Sequence, residues 1–84
     1  MELRYSKQAI KYLSKMPKQQ ASALRLELKK LAADFDGYAG DLIKMSGCTL
    51  YRLRVGGYRA ILELREQRLV LMTLKIGPRG DVYK

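Results

Sequence analysis

The chain has 84 residues, room for one domain (1–84) with a small core, and its 48% hydrophobic content excludes a disordered chain. It has no histidine, which excludes an imidazole base or ligand, and a single cysteine, Cys48, which excludes an internal disulfide. The net charge is +9, and residues 44–84 carry nine basic residues against three acidic ones, so the partner expected is nucleic acid, an anionic surface or an acidic protein.

No apolar run approaches the ~18 residues of a membrane span, and Met1–Gln8 lacks the apolar stretch of an export signal. The expectation is a cytoplasmic protein without membrane contact. No metal-ligand spacing or phosphate-cradling glycine loop occurs, so neither metal nor cofactor is expected.

Leu3 and Tyr5 alternate in Met1–Tyr5, which suits an edge strand. Ser6 is placed to cap a helix, and Ile10, Leu13 and Met16 lie on one face of it. Pro17 stops that helix and suits the first turn of the next. The second helix is predicted over Pro17–Asp36, with Leu24, Leu28, Leu31 and Phe35 as its buried stripe. The short connection predicts an antiparallel helical pair. Lys18, Arg25, Lys29 and Lys30 are either a solvated helix face, which amphipathicity favours, or a contact with RNA phosphate.

Residues 37–48 read as a loop holding a brief strand near Leu42–Met45, with Lys44 in it. Three strands follow, over about 49–55, 58–64 and 69–76. The last is apolar on both faces and is therefore placed inside the sheet. The turn at Arg65–Arg68 leaves its register open by one residue, which would swap the faces. Gly77-Pro78 is read as the strand's end. The predicted architecture is α+β, with two N-terminal helices on one face of a small, mostly antiparallel sheet.

The most informative stretch is Tyr51-Arg52-Leu53-Arg54-Val55-Gly56-Gly57-Tyr58-Arg59. A Gly-Gly pair between two strand-like runs signals a two-residue hairpin loop. The register would oppose Val55 to Tyr58, Arg54 to Arg59 and Leu53 to Ala60. Alternation then sets Arg52, Arg54 and Arg59 on one face and Tyr51, Leu53, Val55, Tyr58 and Ala60 on the other. Like charges facing each other on a sheet are destabilising; a polyanion that neutralises them gives the cluster a purpose. Guanidinium matches phosphate oxygens with a planar fork and stays charged. RNA supplies its own nucleophile, the ribose 2′-OH, so positioning and charge stabilisation are the main demands of cleavage. From the residues alone this is a basic α+β module, with catalysis left open.

The hairpin, the preceding Lys44-Met45 and the end Gly77-Pro78-Arg79-Gly80-Asp81-Val82-Tyr83 resemble the RelE/ParE superfamily of toxins, over essentially the whole chain. The resemblance implies a microbial RNase-like fold and a small toxin held inactive by a cognate antitoxin. RelE-like members cleave mRNA on the ribosome without a metal; ParE-like members inhibit DNA gyrase. Carried across by position, Arg52 and Arg54 fall at phosphate-binding positions where RelE-like toxins usually have lysine. Arg59 matches a transition-state-stabilising arginine, Arg79 a leaving-group acid, and Tyr83 a tyrosine that orients or stacks on the substrate. These five are the expected catalytic residues, which favours the RelE-like branch. Lys29, Lys30 and Lys44 are the expected additional RNA contacts. The resemblance further implies that operator DNA is bound only through the antitoxin. Arginine in place of lysine at 52 and 54 leaves the general base unassigned.

Overall fold

The computed structural model describes residues 1–45 and 49–78. Their order is β1 (Glu2–Tyr5), α1 (Lys7–Lys15), α2 (Lys18–Ala33), β2 (Asp41–Lys44), β3 (Leu50–Val55), β4 (Tyr58–Arg65) and β5 (Val70–Pro78). The five strands form one sheet in the order β1-β5-β4-β3-β2, antiparallel except for the β1–β5 pair. Both helices cover one face, α1 mainly on β5 and α2 on β1 and β3. This is the α+β arrangement expected from the element order.

The Ser6 cap forms as its position implies. Its Oγ accepts from the Ala9 amide at 3.0 Å and donates to the Leu74 carbonyl at 2.7 Å. The first bond satisfies an amide left over at the helix start; the second ties that start to β5. Gln8 extends the tie. Its Nε2 donates to the Ile76 carbonyl at 3.1 Å, and its Oε1 accepts from the Ile76 amide at 3.0 Å. The side-chain amide thus takes the place of a neighbouring strand beyond the end of β1. These anchors choose the buried face of α1, which is Ala9 and Leu13, with Met16 buried just past the helix end, and not the predicted Ile10. Ile10 follows Ala9 by about 100° of helix rotation and is 55% exposed.

In α2 the stripe forms as predicted, with Leu24, Leu28 and Leu31 fully buried. The helix ends at Ala33 and not at Asp36. Phe35 follows it, half-buried, with its ring edge-on to Tyr51 at 5.0 Å. The core is completed from the sheet by Leu53, Ala60, Leu62, Leu71 and Ile76.

The hairpin register is the one the Gly-Gly pair predicts: Val55 opposes Tyr58, Arg54 opposes Arg59 and Leu53 opposes Ala60. Gly56 takes φ +59°, the first position of a type II′ turn. The β4–β5 turn resolves the open register by pairing Arg65 with Val70. Glu66, Gln67 and Arg68 all take positive φ there, at 51°, 55° and 73°. Arg68 is held by Asp36 at 2.7 Å and lies over the Phe35 ring at 5.4 Å. Strand β5 is interior as predicted but runs on through Gly77 and Pro78, which pair with Arg59 and Tyr58.

One irregularity changes which face β5 presents. Ile61 pairs with Lys75 while Leu62 pairs with Thr73, so Leu74 is an extra residue on β5. Such a bulge reverses the side-chain alternation beyond it. Leu71 and Thr73 lie on the helix side before the bulge, and Ile76 returns to that side after it.

Candidate nucleic-acid interface

The helix-free face of the sheet carries the basic constellation. Reading from β5 to β2, one row is Gly77, Arg59, Arg54 and Asp41. The adjacent row is Lys75, Ile61, Arg52 and Ile43. Arg52, Arg54 and Arg59 therefore share one face, as the alternation in the hairpin requires, and each is half-buried. Their partners on the helix side, Leu53 and Ala60, are fully buried. The same alternation that seals the core sets the guanidiniums on the opposite surface.

Acidic groups stand at the margins of this face. Asp41 Oδ2 is 3.8 Å from a terminal nitrogen of Arg54. Glu63 is held by the neighbouring Arg65, and Glu2 by Arg4 at 2.7 Å. The Nε of Arg54 is buried and meets no hydrogen-bond acceptor among the described residues. It belongs to a site where Arg54 and Arg59 stand directly opposite each other. Bidentate guanidinium–phosphate contacts suit this geometry. Among the described residues no cluster of three or more His, Cys, Asp or Glu could hold a metal ion.

Lys29 and Lys30 occupy α2, on the layer across the sheet from the arginines, and both are exposed. Lys30 is 3.2 Å from Glu27. Lys44 pairs with Tyr51, whose ring packs against the core, so it too projects toward the helix side. The three lysines are thus separated from the arginine face. Arg79 and Tyr83 lie outside the described residues, as does Cys48. The described chain ends at Pro78, opposite Tyr58 and next to the Arg54–Arg59 pair.

Sequence reasoning missed Lys75. Counted by simple alternation from Leu71 and Thr73 it falls on the helix side. The Leu74 bulge turns it to the arginine face, where it opposes Ile61 and is exposed.

No protein-family model matches the chain, and no curated protein matches its sequence. Solved structures do match. A chain of the RelE–RelB complex from the archaeon Pyrococcus horikoshii is similar at 29% identity and a TM-score of 0.81, covering 96% of this chain and 97% of that one. A chain of the RelB–RelE antitoxin–toxin complex from Methanococcus jannaschii is similar at 20% identity and TM-score 0.75, covering 96% and 95%. The isolated Escherichia coli RelE toxin is similar at 21% identity and TM-score 0.76, covering 98% and 89%. The last two share the fold alone. Two helices on a five-stranded mixed sheet, matched over nearly the whole chain by these structures, make the chain RelE-like in fold.

Proposed function

We propose that this chain is the toxin of a toxin–antitoxin pair and that it acts as a ribosome-dependent endonuclease on mRNA. The observation that carries this reading is the opposed Arg54–Arg59 pair, with Arg52 beside it, on the sheet face that no helix covers. In the reaction the ribose 2′-oxygen attacks the adjacent phosphorus and the bond from phosphorus to the 5′-oxygen breaks. The products are a 2′,3′-cyclic phosphate and a 5′-hydroxyl; the 2′-OH gives up one proton and the leaving oxygen takes one. Arg52 and Arg54 hold the phosphate, and Arg59 stabilises the charge gathered on its oxygens as the fifth bond forms. Arg79 would protonate the leaving oxygen and Tyr83 would orient or stack on the nucleotide. The ribose supplies the nucleophile, so the step requires no metal in principle.

The partner that keeps the toxin inactive would be an antitoxin with an acidic, amphipathic segment. The positive field favours such a segment, and Ile10 and Leu26, each more than half exposed, offer it apolar contacts. Operator DNA would be reached only through that antitoxin, and the site of action would be the cytoplasm. Among the described residues no helix is long and apolar enough to cross a membrane.

Primer extension on an mRNA translated in a cell-free system tests the reading. Cuts inside codons that require both this chain and ribosomes are expected. They should disappear with Arg79→Ala and Tyr83→Ala while antitoxin binding persists. Intact mRNA together with inhibited DNA supercoiling would replace this reading with gyrase inhibition.

A further inference from the structure

We infer that Lys75 is a second phosphate-binding position on the arginine face, which makes that face a track for a single-stranded polynucleotide and not a pocket for one phosphate. This rests on the RNA-cleaving reading above and extends its binding site.

Three observations carry it. First, the Leu74 bulge sets Lys75 opposite Ile61, in the same row as Arg52. A regular β5 would have driven Lys75 toward the helices, into a layer where Leu62 and Leu71 are fully buried. The bulge is therefore what permits a lysine at this position. Second, Lys75 is exposed and has no ion-pair partner among the described residues. By contrast, Arg4 and Arg65 at the margins of the same face are held by Glu2 and Glu63. Third, β4 separates Lys75 from Arg52, so their backbones stand two strand spacings, about 9.5 Å, apart. Strand side chains project roughly perpendicular to the sheet, so the two cations keep most of that separation and take different phosphates of one chain. Between them lies Ile61, 7% exposed and outside the helix-side core, so no acidic group stands between the two cations.

The test is fluorescence anisotropy of the full chain with a short single-stranded RNA, 2′-O-methylated so that it cannot be cut, across a salt series. Each phosphate contact on a single strand contributes about 0.7 to the slope of log affinity against log salt. Lys75→Ala should lower the slope by about that amount, so that wild type loses about threefold more affinity than the variant between about 50 and 200 mM salt. Lys75→Arg should restore the slope, and Lys11→Ala, on the exposed side of α1, should leave it unchanged. Circular dichroism melting confirms that each variant is folded. RNA binding by wild type with an unchanged slope in Lys75→Ala would overturn the Lys75 subsite and leave the arginine reading standing. Equal losses in Lys75→Ala and Lys11→Ala would reduce the effect to net charge and overturn it as well. No binding by wild type at any salt would overturn the track and this subsite, and would leave ribosome-dependent cleavage to be decided by primer extension.

Discussion

The two faces of the sheet are built from the same strands and have opposite physics. On the helix side Leu53, Ala60, Leu62, Leu71 and Ile76 are buried to 1% exposure or less. On the open side the alternate positions are Arg52, Arg54, Arg59, Ile61 and Lys75. Apolar burial on the helix side reinforces the register that the Gly56-Gly57 turn sets. The open side inherits that register, including an Arg54–Arg59 opposition that would be selected against on charge alone. Apolar core and basic surface thus occupy different faces of one element. A one-residue slip would exchange them.

The sharpest break of this division is Leu62→Ala. Leu62 is fully buried between sheet and helices, so its truncation should cost about 3 kcal/mol of unfolding free energy in urea titration. RNA affinity per folded molecule should be unchanged. Arg59→Ala is the mirror experiment. It should lower mRNA cleavage about a hundredfold, the loss expected on removing one donor to a charged transition state. Unfolding free energy should move by about 1 kcal/mol or less, because a like-charge opposition is relieved as packing of the stem is lost. If Arg59→Ala unfolds the chain, or Leu62→Ala abolishes cleavage by folded protein, the division is wrong.

A smaller effect tests an imperfection on the helix side. Thr73 is fully buried, and its Oγ1 has no hydrogen-bond partner among the described residues. Thr73→Val keeps the branched shape and removes the orphan hydroxyl, so it should raise stability by about 1 kcal/mol. Calorimetric melting would show the gain; a loss would mean the hydroxyl is satisfied by ordered water.

The smallest effect is a pH dependence at the edge of the helix layer. Tyr38 donates to Glu27 at 2.6 Å. That bond, and then the nearby Lys30, hold the Glu27 carboxyl below its ordinary value of 4.5. A depressed carboxyl stabilises the fold above its unfolded pKa and loses that contribution as pH falls through the folded value. Burial, and then the bond to Glu27, push the Tyr38 phenol above its ordinary 10. A raised phenol stabilises the fold below about pH 10 and loses the contribution as pH rises beyond it. Tyr38→Phe should flatten both arms of a stability-versus-pH curve, by less than about 1 kcal/mol because the Tyr38–Glu27 bond is only part-buried. An identical curve for the variant would show that the bond contributes nothing to folding.

Where physics is local, the sequence was sufficient. Val55-Gly56-Gly57-Tyr58 determined the hairpin register because glycine accepts the positive φ of a primed turn, and register then assigned the three arginines to one face. Ser6 determined its helix start through a bond three residues away. Leu24, Leu28 and Leu31 were legible as core because a helix repeats every 3.6 residues. Where the outcome depends on partners distant in the chain, the tertiary structure decided. The outward turn of Ile10 follows from Ser6 and Gln8 bonding to β5, 68 residues on. The parallel pairing of β1 with β5 joins the two ends of the described chain. The placement of Lys75 depends on a bulge that no residue in Met72-Thr73-Leu74-Lys75-Ile76 announces. A bulge is settled by how β5 meets β4 and the helices at once, a sum of long-range contacts that a local pattern does not contain.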